Sequence, residues 1–407
     1  MDTKTKNRMK RSNLCSFLVL GTLEAAWAPM VPYIKDRFAL SEGDLGLLLL
    51  CSGLGSFAFL PVIGMLCSRL GCRRTVYICG TLLSLTLLGI ATSADVYLCA
   101  LMLFVFGAMG IGVDVSSNVN AVMVEAQFKK PLMSGFHGGY SLGTLIGSAL
   151  ASALLTLGLN LASDAFVIML LALVAVFLGG RYLLSDIRTK EQGSGNVQNA
   201  AAANKRDKPR FFVPPLVIVV GVMCFFMYSI EGAVMSWSAV FVTQERNISL
   251  EAAGFIYTSF AVAMTVMRLV GNTLVTRTGR RNTVTLGAIL VSLGFAMVVL
   301  IPHVLGSIAG FLVVGIGAAN IVPQLVSFAG TVKGLPVQST ISIINALGYS
   351  GVLAGPVIIG FVSDLYSLSV TFMGIAAVML LVGMVGFMIL GRKSAPDIKT
   401  GQSVNEE

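Results

Sequence analysis

Arg69-Leu70-Gly71-Cys72-Arg73 recurs 208 residues later as Arg277-Thr278-Gly279-Arg280-Arg281. Each copy is a short basic turn between two apolar runs, 44–67 and 74–93 in the first case, 252–275 and 282–301 in the second. Two membrane helices joined by a turn whose charges stay on one bilayer face would read this way. Three further matches fall at nearly the same offset. Gly110-Ile111-Gly112 recurs as Gly315-Ile316-Gly317, Gly139-Tyr140-Ser141 as Gly348-Tyr349-Ser350, and Glu24 as Glu231. One such match is weak, because Gly-rich apolar runs agree by chance. Four at almost one spacing indicate an internal duplication.

Composition fixes the medium. Of 407 residues 56% are hydrophobic and 12% are charged, about half the charged share of a soluble domain. Mean hydropathy is +0.86. The chain is expected to be an all-α, polytopic membrane protein. Its net charge of +9 does not point to nucleic acid, because the basic residues sit in short connections and tails, where they act as orientation signals. The first apolar run carries Glu24 and two prolines and has no small-residue cleavage site, so it reads as a span and not as a secretory signal. Seven scattered cysteines form no CxxC pair, and His137 and His303 are too far apart to suggest zinc. No metal site and no cofactor are expected, and the cysteines read as small packing residues.

Twelve apolar segments are each long enough to span a bilayer as a helix: 13–34, 44–67, 74–93, 96–123, 134–158, 162–184, 214–242, 252–275, 282–301, 304–328, 337–361 and 368–391. A polar stretch rich in Gly, Asn and Ala, 185–213, separates two groups of six. The expected organisation is a tail at 1–12, a six-helix bundle at 13–184, a linker at 185–213, a second bundle at 214–391 and a tail at 392–407. Lys4, Lys6, Arg8, Lys10 and Arg11, then Arg69, Arg73 and Arg74, then Lys129 and Lys130, then Arg277, Arg280 and Arg281 all fall on one side, while Asp95, Asp164, Glu245 and Asp364 fall on the other. With both termini and the linker cytoplasmic, the pattern obeys the positive-inside rule. Two parallel repeats of six helices imply an alternating-access transporter with its site where the repeats meet.

Gly64-Met65-Leu66-Cys67-Ser68-Arg69-Leu70-Gly71-Cys72-Arg73-Arg74 resembles the helix two-to-three signature of the major facilitator superfamily. Ser68 stands where that signature usually has Asp. Four more stretches resemble one branch, the YbjJ/MosC-type bacterial inner-membrane permeases, distantly similar to the fucose permease. These are Asp114 to Asn120, His137 to Gly143, Glu231 to Ser238, and Gly315 to Pro323 with Gly348 to Pro356. Ser236 replaces the Asp that usually precedes the helix-seven Trp in that branch. The resemblance implies the twelve-helix major facilitator fold, a location in the bacterial inner membrane, and a substrate class that includes sugars and an inositol-type compound. By the same resemblance, acids on helices one and four serve proton coupling and substrate recognition. This chain has Glu24 and Asp114 there.

The residues support that reading independently. A carboxylate at membrane depth costs roughly 2.5–3.5 kcal/mol on insertion scales, so a chain keeps one for a use, a partner or access to water. The run from Val96 to Val113 carries no charged residue and ends at Asp114. Asn118 lies one turn on, and Ser117 is expected on the same face. Glu24 falls near the centre of helix one, with Trp27 on nearly the same face as an aromatic platform. Glu24 is the first choice for proton coupling and Asp114 the second. Glu231, Trp27, Asn118, Asn320 and Gln324 are candidate substrate contacts. Arg268, alone among basic residues well inside a helix, is read as a gate residue that pairs with Asp114 or Glu231; Asp114 is the contact to check first. Arg69, Arg73, Arg277 and Arg281 complete the gate. Gly232 is a place where helix seven could loosen, Trp237 a cavity residue or an outer-surface anchor, and Pro29, Pro32, Pro61, Pro323 and Pro356 are expected kinks.

The expected activity is secondary transport of a small sugar-like or polyol-like solute, driven by the proton gradient, by a monomer with no enzymatic function. No GxxxxGK[ST] phosphate loop occurs. A proton-driven drug or metabolite exporter is the alternative, distinguished by an apolar cavity with a single acid. A transporter-like sensor is a third.

Overall fold

The computed structural model describes residues 3–128, 132–184, 213–329, 332 and 337–391. The expected linker, the C-terminal tail, Lys129 and Lys130 lie outside them. Among the described residues, twelve helical spans are long and apolar enough to cross a membrane. The first half contains α1 (Thr3–Ala26, continued by a 3-10 turn at Ala28–Met30 and by Val31–Arg37), α2 (Glu42–Leu70), α3 (Cys72–Thr92), α4 (Val96–Phe128), α5 (Met133–Thr156) and α6 (Leu161–Gly179). The second contains α7 (Pro215–Arg246), α8 (Leu250–Thr278), α9 (Arg280–Leu300), α10 (Val304–Ala318, continued by Ile321–Ala329), α11 (Val337–Leu365) and α12 (Leu368–Leu390).

Each expected segment coincides with one of these helices. The main difference is at the N terminus, where α1 starts at Thr3, inside the stretch expected to be a tail. Its basic side chains have partners there. Lys6 Nζ donates to the Gln127 carbonyl at 2.8 Å, and the Arg8 guanidinium lies 5.2 Å from the Tyr182 ring centre. Long basic side chains thus carry the helix beyond the apolar stretch while keeping their charges at the surface.

The proline expectations divide. Pro29 sits in the 3-10 turn that interrupts α1, and Pro323 lies just past the break in α10. Pro61 and Pro356 lie inside unbroken α2 and α11. Helix α7 also runs without interruption through Gly232, so the expected loosening there is not found.

The duplication is visible at the level of single bonds. Gly71 and Gly279 have φ of 81° and 77° and ψ of 156°, a region open essentially to glycine alone. Each donates its N–H to the carbonyl four residues back, Cys67 or Val275. Thr75 and Thr283 then return their hydroxyls to the Gly71 and Gly279 carbonyls at 3.0 and 2.9 Å. Each turn therefore ends one span and starts the next in the same way.

Within the halves, small residues bring backbones together. Gly21 lies against the Tyr140 carbonyl, Gly143 against that of Leu18 and Gly147 against that of Thr22, which locks α1 to α5. Gly351 and Gly355 press α11 onto Phe225 and Ser229 of α7 in the same manner. Backbone approach of this kind replaces the hydrophobic drive that lipid does not provide.

The halves meet along α2–α11 and α5–α8. At the face remote from the N terminus, Gly46 and Gly360 cross, Gln244 donates to Glu42 at 2.8 Å, and Thr156 donates to the Glu251 carbonyl at 3.1 Å. Toward the N-terminal, basic face, a side-chain carbon added at Gly64 on α2 or Gly135 on α5 would meet nothing within 4 Å among the described residues. Among those residues the seams are therefore joined at the far face and parted toward the basic one.

Candidate functional site

The buried charges converge where the two halves meet. Glu24 sits on α1 two residues before Ala26, where the helix breaks. Its Oε2 accepts the Tyr140 hydroxyl of α5 at 2.8 Å. A side-chain carbon at Gly110 of α4 would lie 3.0 Å from its Oε1, so the first glycine of the Gly-Ile-Gly motif leaves room for this carboxylate. The second, Gly112, leaves room for Cys79 and Ile63. Asp114 lies one turn beyond Gly110, and Asn118 Nδ2 donates to its Oδ1 at 2.8 Å and to its carbonyl at 3.0 Å. Among the described residues, neither Glu24 nor Asp114 forms an ion pair.

The face carrying Asp114 and Asn118 opens stepwise toward the basic face. Both residues are half-buried, and Val122, one further turn along, is 58% exposed. Ser117 departs from the expected face. Its hydroxyl donates to Ser16 on α1 at 2.9 Å and is buried, so it holds α4 to α1.

The second half answers with an ion pair. Arg268 of α8 reaches Glu231 of α7 at 3.3 Å and donates to Ser141 Oγ of α5, also at 3.3 Å. The expected first partner, Asp114, is not the one it takes. Both side chains of the pair are part-exposed, so it borders open space. Two further aromatics complete the wall: Tyr228 of α7 stacks on Tyr349 of α11 with ring centres 5.6 Å apart, and Tyr349 is 50% exposed. Tyr257 of α8 lies within electrostatic reach of Glu231, Glu24 and Arg268, and Tyr349 within reach of Asp114 and Glu24.

Three expected residues stand elsewhere. Trp27 is 4% exposed and packed in the core beside the α1 break, so it is no platform in this conformation; Tyr349 holds the exposed aromatic face. Trp237 is fully buried, neither on a cavity wall nor at the outer surface. Asn320 closes the break in α10 by donating to the Met267 carbonyl at 3.0 Å, and its Oδ1 abuts Gly271. Its amide is thereby committed to α8. Gln324 is half-buried one turn further on.

At the basic face, Arg69 and Arg277 are exposed. The repeat-related Arg73 and Arg281 lie 5.6 and 3.4 Å from the ring centres of Tyr77 and Phe387. Among the described residues each is held by an aromatic ring, Tyr77 one turn along the same helix for Arg73 and Phe387 of α12 for Arg281.

Tyr140, Ser141, Tyr228, Tyr257 and Tyr349 were not singled out from the sequence. The signal for three of them was present, since Gly139-Tyr140-Ser141 and Gly348-Tyr349-Ser350 are the same motif in the two halves. Chemically, the arrangement offers two carboxyls with neutral partners on one wall and a carboxylate–guanidinium pair with an aromatic face on the other. A proton can neutralise either carboxyl of the first wall, and hydroxyl-bearing solutes can hydrogen-bond to both walls.

Comparison with known proteins agrees with this geometry. A model of the Major Facilitator Superfamily matches residues 13–333. An uncharacterized MFS-type transporter of Yersinia pestis is 38% identical over 372 residues, covering 91% of this chain and 92% of its own length. The membrane protein MosC of Rhizobium meliloti is 26% identical over 366 residues, covering 89% and 85%. Among solved structures, a point mutant of the nucleoside transporter NupG superposes with a TM-score of 0.75 at 13% identity, over 94% of this chain and 100% of that one. A bacterial homologue of the human lysosomal transporter Spinster, inward-facing and unoccupied, gives 0.71 at 12% identity over 96% of each. The basic turns, the doubled six-helix architecture and the family match lead to one conclusion: this chain is a multi-pass membrane transporter of the Major Facilitator Superfamily.

Proposed function

We propose that the protein moves a small polar solute, sugar-like or polyol-like, across the bacterial inner membrane by alternating access, with Glu24 as the proton-coupling group and Asp114 as its second. Both termini lie in the cytoplasm, so the open end faces inward. The observation that carries the reading is the chemistry of the first wall. Two carboxyls stand at membrane depth with a phenol and an amide as partners and, among the described residues, no ion pair, while the Arg268 guanidinium is occupied by Glu231. A carboxylate left without a cation in a low-dielectric interior is expensive, and a proton is the simplest charge to relieve it. The polar solute is supported by the density of hydrogen-bonding groups: Asp114, Asn118, Glu231, Arg268 and Tyr349 all border the opening.

The test is proton flux in vesicles against a panel of sugars, polyols, nucleosides and organic anions. The last two enter because a nucleoside transporter and a human organic anion transporter share the fold. Proton movement driven by a sugar or polyol and lost in Glu24→Gln supports the reading. Proton movement with lipophilic cations alone assigns the protein to drug or metabolite export instead.

A further inference from the structure

The α5–α8 seam is a ladder of hydroxyl bonds between the halves. Beginning at the far face, Thr156 shares its one hydroxyl proton between the Glu251 carbonyl at 3.1 Å and the Ser152 carbonyl of its own helix at 2.8 Å, Thr258 donates to Ser148 at 3.2 Å, and Thr265 shares its proton between the Ser141 carbonyl at 3.1 Å and the Ala261 carbonyl of its own helix at 2.7 Å. The innermost rung is Arg268 to Ser141 Oγ at 3.3 Å, with the same guanidinium on Glu231. Interhelical bonds of this type in membranes contribute little each, so the seam can open reversibly. Its inner end sits beside the proton site, because the residue before Ser141 is Tyr140, whose hydroxyl is on Glu24.

Helix α5 cannot slide on α1 to absorb a change at Glu24. Gly21, Gly143 and Gly147 set the two backbones in direct contact. A change in how Tyr140 is held therefore passes along α5 to its neighbour on the seam. Charge supplies the change. A hydroxyl donating to an ionised carboxylate makes a bond roughly twice as strong as one to a neutral acid.

We propose that Tyr140–Ser141 is the coupling element of this transporter, carrying the charge state of Glu24 in one half to Arg268 and the α5–α8 seam of the other. With Glu24 ionised, Tyr140 is held, Ser141 is aligned, and the seam stays zipped. Protonation of Glu24 loosens Tyr140 and opens the ladder from its inner rung. The inference rests on the reading of Glu24 as the proton site. The other titratable groups facing Glu24 are Asp114 on α4, Tyr257 on α8 and Tyr349 on α11, and Arg268 and Glu231 lie behind Tyr257.

The test is a pair of spin labels on the far face, one in each half, at Tyr97→Cys and Tyr366→Cys; these sites are 84% and 73% exposed. The part-exposed Cys15 and Cys51 are replaced by alanine, and distances are measured in lipid nanodiscs from about pH 5 to about pH 9, a range that brackets neutral pH above the ordinary carboxylate values. The open fraction of the unmodified protein should rise about fivefold as pH falls, the size expected when a charge-assisted bond is exchanged for a neutral one. Tyr140→Phe and Ser141→Ala should each remove that response and hold the open fraction at its low-pH value, as should Glu24→Gln. A full pH response in either the Tyr140 or the Ser141 variant overturns the proposal, and so does a response that depends on Asp114 and not on Glu24. If the unmodified protein ignores pH while moving protons normally in vesicles, the coupling through α5 is wrong and the proton site stands. If proton flux is also indifferent to Glu24, the reading of the site has failed with it.

Discussion

Replacing Gly360 by alanine should shift the transporter away from the conformation described above. The added carbon would lie 2.5 Å from the Glu42 carbonyl oxygen and 3.0 Å from Gly46 Cα. An ordinary carbon–oxygen approach is about 3.3–3.6 Å, so α2 and α11 must separate by roughly 1 Å. Neither obstacle is the tip of a flexible side chain, so no rotamer change relieves it. Overpacking of this kind costs about 1–3 kcal/mol. The penalty falls only on the state in which the far face is closed, since an opened far face removes the crossing. The ratio of far-face-open to far-face-closed molecules should rise by about 5- to 150-fold. The assay is the far-face distance between labels at Tyr97 and Tyr366, compared in the unmodified protein and the variant at one pH. A longer distance with a retained melting temperature is expected. An unchanged distance with a lowered melting temperature would refute the reasoning, because the crossing would then be a fixed packing contact and not a gate.

Other substitutions separate structural from functional roles. Gly110→Ala crowds the Glu24 carboxylate at 3.0 Å and should reduce proton flux several-fold while thermal unfolding in detergent changes little. Asn320→Ala frees the Met267 carbonyl; it should lower stability by about 0.5–1.5 kcal/mol and leave the apparent substrate affinity unchanged, which saturation kinetics would check. Gly71→Ala and Gly279→Ala each force a side chain into a backbone region reserved for glycine. Each should destabilise by about 1–3 kcal/mol, and by similar amounts in melting experiments if the two turns are equivalent.

The architecture was legible because membrane spans and their turns leave strong one-dimensional signals. Runs without charge marked the spans, and the recurrence of Arg69-Leu70-Gly71 as Arg277-Thr278-Gly279 located two turns that share their glycine conformation, the glycine N–H bond and the threonine hydroxyl bond. The start of α1 was less legible, because Lys4 to Arg11 look like a tail by composition while Lys6 in fact bonds the Gln127 carbonyl at the end of α4 and Arg8 lies over the Tyr182 ring. The site was legible in its acids and less so in its neighbours. In a membrane protein the core and the lipid-facing surface are both apolar, so periodicity does not say which face of a helix looks inward. Trp27 and Trp237 could therefore be placed at the right depth but not on the right side. The choice of Arg268 between Glu231 in its own half and Asp114 in the other depended on which helix faces it, a three-dimensional fact. Asn320 looked like a ligand because it is polar at membrane depth, and the break in α10 that needs its amide left no pattern beyond Pro323. Tyr140 was overlooked although it stood inside a quoted motif, because a tyrosine among glycines reads as packing until its hydroxyl is seen on Glu24.

The central claim is that Glu24 carries the coupled proton. Its most direct test is solute-driven proton uptake in vesicles containing unmodified protein, Glu24→Gln or Asp114→Asn, measured beside exchange of labelled solute across the same membranes. The prediction is that Glu24→Gln abolishes net proton movement while exchange continues, and that Asp114→Asn weakens both. Proton movement at the unmodified rate in Glu24→Gln would contradict the account.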